Sequence, residues 1–203
     1  MTTWLVLVLP AYLLGSISFG VLASHLFRLP DPRLYGSQNP GATNVLRSGK
    51  KAAAAFTLLG DMGKGWVAVM LARHAGPVLA ADDMAIAFVG LAVFLGHIFP
   101  VFLRFRGGKG VATAVGVLFG LNAWMGLVAV AIWMLVAAIW RISSLAALVA
   151  AGLAPLYAFL FLGMGGRTLI VSLMSLIIIW RHRMNIANLI AGRETRIGKP
   201  TAS

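Results

Sequence analysis

The sequence predicts an all-α membrane protein with seven transmembrane helices, its N-terminus outside and its C-terminus inside. The 203 residues are 60% hydrophobic and 11% charged, with a mean hydropathy of +0.92. A soluble domain of this length carries far more charge on its surface. Several apolar runs also approach the roughly 20 residues that cross a bilayer, and the basic residues are distributed asymmetrically between them.

The predicted spans follow the apolar runs between polar or basic segments. The first run opens with MTTWLVLVLP, which has no basic leader and no convincing cleavage site, so we expect a span and not a removed signal peptide. The stretch 110–140 is too long for one crossing at about 1.5 Å per residue, and we divide it near Asn122. The seven predicted spans are 3–27, 52–73, 84–103, 110–121, 123–140, 144–163 and 167–182.

The basic residues determine the expected orientation. Fourteen of the 17 Lys and Arg residues lie on one side of the membrane if the N-terminus is outside, and such an excess is typical of the cytoplasmic side. Arg73, Arg167, Asp82 and Asp83 then lie on the outer side, and Lys64 lies within a span. The net charge of +12 therefore has a topological explanation and does not indicate nucleic-acid binding. The cytoplasmic residues are Arg28, Arg33, Arg47, Lys50, Lys51, Arg104, Arg106, Lys109, Arg141, Arg181, Arg183, Arg193, Arg196 and Lys199.

We expect one integral-membrane domain over residues 1–203, with cytoplasmic loops near 28–51, 104–110 and 141–144 and a tail at 183–203. The chain contains no cysteine, which excludes disulfides and cysteine-ligated metals. The four histidines are scattered and form no HExxH motif, so we expect neither a metal nor a cofactor. Paired carboxylates, a defensible serine triad and a His-x4-Asp motif are also absent from the sequence.

The loop YGSQNPGATNVLRSGK, residues 35–50, is longer and more polar than a simple connection requires. Its glycines allow close approach to an anion, and its hydroxyl and amide side chains add neutral hydrogen-bond donors. Gly36 and Gly41 have the spacing of a phosphate-binding loop, but Ala42 stands where that motif requires lysine, so ATP hydrolysis is not supported. A turn-rich loop without a binding role remains the alternative.

The stretch FRGGKGVAT, residues 105–113, places Lys109 among three glycines. An ammonium group beside exposed backbone amides suits a compact dianion. A helix that began at Val111 would add the positive end of its dipole to the same site. The alternative is a basic turn that serves topology alone, although topology does not require the glycines.

Two further motifs place polar residues three positions apart, on one face of a helix. GDMGKG, in the second span, contains Asp61 and Lys64, which form either a functional site or a buried ion pair. RHRMNI, at the end of the last span, contains His182 and Asn185 and is expected at the cytoplasmic surface. All four segments collect on or near one side of the membrane. Such a set of groups recognises anions, and it catalyses by positioning a substrate that brings its own leaving group, such as an activated phosphate.

Taken together and in this order, the motifs resemble the PlsY family of acyl-phosphate:glycerol-3-phosphate acyltransferases. The motifs that carry the resemblance are GSISFG (15–20), GSQNPGATNVLR (36–47), GDMGKG (60–65), GHIFPVFLRFRGGKGVAT (96–113) and HRMNI (182–186). The resemblance implies a seven-helix enzyme of the bacterial inner membrane. It implies transfer of an acyl group from acyl phosphate to the 1-hydroxyl of glycerol 3-phosphate, which gives lysophosphatidic acid and phosphate in phospholipid synthesis. Acyl phosphate, supplied by a soluble enzyme, glycerol 3-phosphate and membrane lipid are the implied partners.

The resemblance also implies roles for particular residues. Arg106 and Gln38 depart from the family pattern, where Lys and Gly are commoner, and the change at Gln38 puts a phosphate contact by its amide in doubt. The implied catalytic residues are Ser37, Arg47, Lys109, His182 and Asn185. The implied substrate-binding residues are Asn39, Thr43, Asn44, Lys64, Gly107, Gly108 and Ser144, and the phosphate of the donor is expected to take the hydroxyl proton.

Two other classes of protein stay open at this point. A transporter would show an internal repeat or a polar path across the bilayer, and we find no convincing repeat. A lipid-binding scaffold would tolerate the loss of Lys109 or Ser37. The sequence does not determine the acyl-chain preference, the oligomeric state, or which phosphate contacts belong to the donor and which to the acceptor.

Overall fold

The computed structural model describes residues 3–197, and the regular segments in that range are all helical, which confirms the all-α prediction. Short 3-10 segments at Thr3–Leu7 and Val101–Leu103 accompany the α-helices. Residues 198–203 of the predicted tail, with Lys199, lie outside the described range. The α-helices of residues 3–197 are α1 Val8–Gly15, α2 Phe19–Leu26, α3 Ala42–Leu46, α4 Lys51–Leu79, α5 Asp83–Ile98, α6 Val111–Leu121, α7 Ala123–Trp140, α8 Ser143–Leu162, α9 Gly166–Arg181 and α10 Arg183–Ile190.

The helices pack backbone to backbone at small residues. The most extensive contacts join α4 to α6, α1 to α5, α7 to α8 and α8 to α9. A Cβ on Gly116 of α6 would overlap the Met62 carbonyl oxygen of α4, and a Cβ on Gly15 of α1 would overlap the Val93 carbonyl oxygen of α5. Close packing at glycine and alanine is the usual way in which helices associate in lipid, where apolar side chains gain nothing from leaving the solvent.

Large apolar side chains point outward and small ones inward, which is the arrangement expected in lipid. Along α8 the buried positions are mostly alanines, and Ala158 is 0% exposed whereas Leu160 is 68% exposed. A soluble protein rarely leaves so much contiguous apolar surface in contact with solvent. The outward faces of the helices are therefore suited to lipid.

Four helices in residues 3–197 are long and apolar enough to cross a membrane, and they are α4, α5 with its 3-10 extension, α7 and α8. Two bent pairs raise the number to six, with a bend of 41° between the first segment and α2 and of 57° between α9 and α10. The 11 residues of α6 extend only about 17 Å, half of a hydrocarbon core. Seven crossings, and the orientation of the termini, stay predictions.

Several predicted boundaries are wrong for identifiable reasons. The span predicted at 3–27 is interrupted at 16–18, where the Ser18 hydroxyl accepts from the Val21 amide and begins α2 afresh. The span predicted at 52–73 continues to Leu79, and its 29 residues extend about 44 Å, longer than the bilayer core.

Other boundaries agree better with the prediction. The helix predicted over 84–103 ends as an α-helix at Ile98, two residues before Pro100, which cannot donate a helical hydrogen bond. The break predicted near Asn122 is confirmed, because its Oδ1 accepts from the Trp124 amide at 2.9 Å and caps α7.

Candidate anion-binding site

The turn before α6 is built around two glycines. Gly107 and Gly108 lie directly against His97, the last polar residue of α5, and a Cβ on either would overlap the His97 carbonyl oxygen or its ring. The Gly108 amide donates to the His97 carbonyl at 3.1 Å. α6 begins at Val111, as expected, so the turn places Lys109 at the start of that helix.

Lys109 connects this turn to the C-terminal part of the chain. Its ammonium donates to the Asn185 Oδ1 of α10 at 2.5 Å. Arg181, the last residue of α9, donates to the Gly107 carbonyl at 2.9 Å. The glycine turn is therefore held by its neighbour α5 on one side and by α9 and α10 on the other.

The bend between α9 and α10 occurs at His182. The sequence predicts His182 and Asn185 on one face of a helix at the surface. The helix is instead interrupted at His182, which is 3% exposed and precedes α10, while Asn185 lies within α10. The His182 Nδ1 donates to the Ile178 carbonyl at 2.8 Å, because a carbonyl oxygen can only accept. This bond leaves Nε2 as the acceptor nitrogen of the neutral ring. The bend brings Asn185 to Lys109.

Asn44 organises the glycine-rich loop from within. It is 2% exposed, its Oδ1 accepts from the Ser37 amide at 2.9 Å, and its Nδ2 donates to the carbonyls of Pro32 and Tyr35 at 2.7 and 3.2 Å. These bonds account for the whole amide group. The structure thus gives Asn44 a supporting role in the loop, and the predicted contact with phosphate stays a prediction.

Thr43 and Arg47 connect the same loop to distant elements. The Thr43 Oγ1 lies 3.0 Å from the Ser143 Oγ, at the start of α8. Arg47 donates to the Thr195 Oγ1 at 2.6 Å, in the segment that follows α10. The short helix α3 therefore contacts both α8 and the tail.

Glu194 lies at the centre of the cluster. Its Oε1 accepts from the Ser144 Oγ and from the Asn185 Nδ2, both at 2.7 Å, and Asn185 in turn accepts from Lys109. The neighbouring Thr195 accepts from Arg47. Two consecutive tail residues thus join α3, α8, α10 and the glycine turn into one hydrogen-bonded group. We call it the polar cluster, made of Thr43, Arg47, Lys109, Ser143, Ser144, Asn185, Glu194 and Thr195.

Within the polar cluster, the surroundings of Lys109 shift the pKa of its ammonium group. Burial is the principal reason that the pKa of Lys109 is lowered to about 8. The Glu194 carboxylate opposes this shift, while the guanidinium groups of Arg181 and Arg47 add to it. Lys109 therefore remains an ammonium at neutral pH and loses its proton only slightly above it.

Three predicted site residues lie at the edge of the polar cluster or away from it. Ser37 is exposed on its loop, and Asn39 is half-buried. The Lys64 side chain is 1% exposed, and its ammonium pairs with Asp61 at 2.8 Å and donates to the Ile17 carbonyl at 2.7 Å. Lys64 thus lies inside the helical assembly, behind the glycine turn, and its predicted contact with substrate stays a prediction.

Sequence reasoning did not identify four members of this neighbourhood: Arg181, Ser143, Glu194 and Thr195. Arg181 was assigned to topology alone. A signal for Glu194 was present, because it is the sole acidic residue of the strongly basic tail 183–203. The two hydroxyl residues carried no such signal, since Ser and Thr are common at helix starts and in turns.

An apolar cavity begins beside the polar cluster and continues between α6, α7, α8 and α9. Its enclosed part is small, about 30 Å³, and the rest of the cavity is open to the outside of the molecule. Val111, Ala147 and Ile178 line it, and each lies within four residues of Lys109, Ser144 or His182. The remaining lining is almost entirely apolar, with alanines prominent along α8. The site therefore combines a cationic, amide-rich end with a narrow hydrocarbon-like space.

The fold and site define a class: a helical membrane protein with a candidate anion site next to an apolar cavity. Comparison with known families identifies the particular family. Residues 5–192 match the model of the glycerol-3-phosphate acyltransferase family. Curated glycerol-3-phosphate acyltransferases of Nitrosospira multiformis and Nitrosomonas europaea are 67% and 63% identical, over 99% and 96% of this chain and 100% and 97% of their own.

Solved structures agree with this assignment. A crystal structure of PlsY (YgiH), an integral membrane glycerol 3-phosphate acyltransferase, in its glycerol 3-phosphate form is 38% identical, with a TM-score of 0.88 and 96% of each chain covered. Its lysophosphatidic acid form has a TM-score of 0.86 at 37% identity, over 96% of this chain and 95% of that one. The chain therefore belongs to the glycerol-3-phosphate acyltransferase family and is an acyltransferase, and the sequence-based identification with PlsY is confirmed.

Proposed function

We propose that this acyltransferase moves an acyl group from acyl phosphate to the 1-hydroxyl of glycerol 3-phosphate. The products are lysophosphatidic acid and inorganic phosphate, and the reaction opens phospholipid synthesis. A soluble enzyme that makes acyl phosphate supplies the donor. The relatives' names support glycerol 3-phosphate as acceptor, and the two PlsY structures are described as forms with the acceptor and with the product.

The observation that carries the proposal is that the apolar cavity starts close along the chain to the polar cluster, since Val111 and Ala147 of its lining follow Lys109 and Ser144 by two and three residues. Lys109 and Arg47 supply positive charge, and the glycine turn supplies backbone close to it. A phosphate group suits this end, and an acyl chain suits the cavity that starts at Val111. A molecule with both parts, such as acyl phosphate or lysophosphatidic acid, matches the two halves of the site.

The reaction needs no protein carboxylate as base. The hydroxyl oxygen of glycerol 3-phosphate attacks the acyl carbonyl carbon, and the bond from that carbon to the phosphate oxygen breaks. The departing phosphate keeps the electron pair of that bond and takes the hydroxyl proton, so the products are an ester and inorganic phosphate. The protein contributes by holding both phosphates and by stabilising the negative charge that develops on the departing group.

Roles within the site follow from its hydrogen bonds. Lys109 and Arg47 bind and stabilise phosphate oxygens, and Ser37 adds a hydroxyl from the exposed loop. Asn185 fixes the direction of the Lys109 ammonium through its Oδ1. His182 presents Nε2 as an acceptor for a glycerol hydroxyl, since its Nδ1 is bonded to the Ile178 carbonyl. The secondary contacts are proposed at Asn39, Thr43, Gly107, Gly108 and Ser144.

Donor use is tested with purified protein, labelled glycerol 3-phosphate and three acyl donors in parallel: acyl phosphate, acyl-CoA and acyl-carrier protein. We expect lysophosphatidic acid from acyl phosphate alone, with one phosphate released for each product molecule. Product from acyl-CoA or acyl-carrier protein would contradict the proposed donor and leave the acyltransferase assignment in place. The matched negative control is Lys109→Ala.

We further propose that the polar cluster faces the cytoplasm of a bacterial inner membrane. Because the chain has no cysteine, single-cysteine variants report sidedness without background. Met164 and Arg193 are both exposed, Met164 next to the start of α9 and Arg193 next to the polar cluster. A membrane-impermeant thiol reagent should label Met164→Cys in intact spheroplasts, and Arg193→Cys only after permeabilisation. The reverse pattern would invert the proposed orientation.

A further inference from the structure

Three ionisable side chains lie buried behind the glycine turn, outside the polar cluster. Asp61 and Lys64 of α4 and His97 of α5 have side chains that are 3%, 1% and 7% exposed. The Asp61 Oδ1 lies 2.8 Å from the Lys64 Nζ and 3.4 Å from the His97 Nδ1, and both are ion-pair contacts without hydrogen-bond geometry. We call these residues the buried trio. Ionisable groups inside a transmembrane segment are costly and mark positions with a specific purpose.

The buried trio lies where two interruptions of the helices meet. Lys64 donates to the Ile17 carbonyl at 2.7 Å, within the break between α1 and α2. In the same break the Ser16 Oγ accepts from the Val101 amide at 3.3 Å, just after α5 ends. A narrow crevice lined by this break, by Lys64 and by His97 also reaches both glycines of the turn. Members of the trio and the glycine turn therefore line the same crevice.

His97 is the member that touches the turn. A Cβ on Gly108 would overlap the His97 Nε2, so the Gly108 backbone rests against that edge of the ring. The Gly108 amide also donates to the His97 carbonyl at 3.1 Å. From the opposite side, Arg181 holds the Gly107 carbonyl. The imidazole therefore forms one wall of the space that the turn occupies.

We propose that the buried trio is a positioning unit for Lys109. Lys64 holds the Asp61 carboxylate, Asp61 sets the orientation of the His97 ring through Nδ1, and the Nε2 edge of that ring determines where Gly108 lies. Gly108 directly precedes Lys109, so its position sets the direction in which the ammonium leaves the backbone. This assignment rests on the proposed function. It adds Asp61 and His97 to the residues that affect the reaction, and it gives Lys64 a role through its neighbours in place of the predicted contact with substrate.

Two substitutions of His97 separate positioning from stability. In His97→Asn the amide takes the place of Nδ1 and keeps a partner for Asp61, but nothing replaces the Nε2 edge. In His97→Gln the amide reaches the position of Nε2 and supports Gly108, while Asp61 loses its neighbour. A positioning role predicts opposite outcomes for the two variants in kcat and in melting temperature.

We expect His97→Asn to melt close to the wild type and to lose about tenfold to a hundredfold in kcat, with a smaller change in KM, because a displacement of about 1 Å has an effect of this size. We expect His97→Gln to melt lower and to keep more of its kcat. The matched control is Met125→Ala, a cavity in the buried start of α7, which should lower the melting temperature with little effect on kcat. If kcat simply follows melting temperature in all three variants, the trio is only structural and the inference is wrong.

A second experiment does not depend on turnover. Lys109 is labelled with an amine-directed reagent in the full-length protein, and its labelling rate is compared with that of exposed Lys50 in the same sample. We expect His97→Asn to change the Lys109 rate several-fold and to leave Lys50 unchanged. An unchanged Lys109 rate would overturn the inference even if the acyltransferase assay succeeds. A changed rate would support it even if the donor proposed above is wrong.

Relief of the steric overlap gives a third readout. Gly108→Ala places a methyl group against the ring, and His97→Ala removes the ring. If the ring sets the position of Gly108, the double variant should recover at least part of the turnover that Gly108→Ala loses. Losses that simply add in the double variant would show that the two residues do not act through each other.

Discussion

The two ends of the helical assembly satisfy their backbone groups in different ways. At the end away from the polar cluster the helices are joined by short connections, at 80–82, at Asn122 and at 163–165. Asp82 and Asn122 cap the next helices through side-chain oxygens, at 2.8 and 2.9 Å from the amides that they bond. This end is closed by local interactions that any membrane helix hairpin can use.

The end that carries the polar cluster has long connections, at 27–41, 99–110 and 191–197, together with a short one at 141–142. It also holds most of the backbone strain. Six non-glycine residues of the described range have a positive φ, and Ala80 is the one at the opposite end. Such conformations cost energy and persist where surrounding structure holds them, often at functional sites. The other five are Arg28, Gln38, Arg104, Phe105 and Arg141.

The two ends therefore differ in how many energetically unfavourable features they contain. Strained backbone, buried charge and interrupted helices are concentrated at one end, and conventional caps and short turns stabilise the other. Natural sequences depart from local preferences mainly at functional sites, where the rest of the fold compensates. Substitutions at the polar cluster should therefore reduce activity more than stability, and substitutions of exposed residues at the opposite end should do neither strongly.

The largest effect is expected for Lys109→Ala. Removal of the ammonium leaves Asn185 without its donor and takes the main positive charge from the glycine turn. We expect at least a hundredfold loss of turnover, about 3 kcal/mol of lost transition-state stabilisation. Turnover is measured as labelled lysophosphatidic acid formed at saturating substrate.

Lys50→Ala is the matched control for Lys109→Ala. Lys50 is exposed at the start of α4, at the same end of the molecule, and belongs to the cations that topology explains. We expect its turnover to stay within about twofold of the wild type. Equal losses in the two variants would mean that total charge, and not the polar cluster, determines activity.

The pH dependence should report on the same ammonium. Lysine carries its charge below its pKa, so a pKa of about 8 at Lys109 means that activity falls as pH rises through about 8. The decrease should approach tenfold for each further pH unit. Lys109→Arg retains its charge at every pH used and should lack this decrease, although its lower turnover will reflect the different shape of the guanidinium group. A decrease that persists in Lys109→Arg would assign it to another group.

Glu194→Gln should lower turnover less than Lys109→Ala does, and it should clearly change the pH dependence of turnover. The Glu194 carboxylate raises the pKa of Lys109, whereas burial, Arg181 and Arg47 lower it. Removal of the carboxylate should therefore make activity fall at a lower pH. The amide oxygen can still accept from both Ser144 and Asn185, but without the charge these two hydrogen bonds are weaker, so turnover should drop only several-fold. If activity falls at the same pH in Glu194→Gln as in the wild type, Glu194 does not influence the pKa of Lys109.

How much of the fold the sequence predicts depends on the range of the interactions involved. Apolar runs identify the helices, and the break near Asn122 was predictable because 110–140 is too long for one crossing. The Asn122 side chain caps the helix that follows this break. The interruption at 16–18 was not recognisable, because it depends on Lys64 and Val101, which are distant in sequence. The bend at His182 was missed for a similar reason, since α10 is held by Lys109 from another part of the chain.

In the candidate site, too, residues were predictable where the signal is local in sequence and were missed where it depends on distant residues. Lys109 was found because glycines surround it, and Asn185 because it follows a histidine at helical spacing. The centre of the polar cluster, Glu194, was missed, since its partners Ser144 and Asn185 meet it only through the fold. Lys64 was assigned to substrate through family resemblance, but the GDMGKG motif had also predicted a buried ion pair with Asp61 as the alternative, and the structure shows that pair.

The smallest effects are expected for two ion pairs that are accessible to solvent, one at each end. Asp83 pairs with Arg167 at the end away from the polar cluster, and Asp31 pairs with Arg33 in the loop before Ser37. Asp83→Asn and Asp31→Asn should each lower the melting temperature by at most about 2–4 °C, because exposed pairs contribute little. Their effects on KM should differ, and this difference tests whether the end with the polar cluster contributes more to substrate binding than the opposite end.

Asp83→Asn should leave kcat and KM within about twofold of the wild type, because α5 and α9 reach the glycine turn only at their far ends. Asp31→Asn should raise KM for glycerol 3-phosphate several-fold with kcat preserved. Asp31 also accepts from the Arg33 amide at 2.9 Å, so its loss loosens the loop that leads to Ser37. If the two variants have the same KM, the order of that loop does not contribute to binding, and the distinction between the two ends is limited to the polar cluster itself.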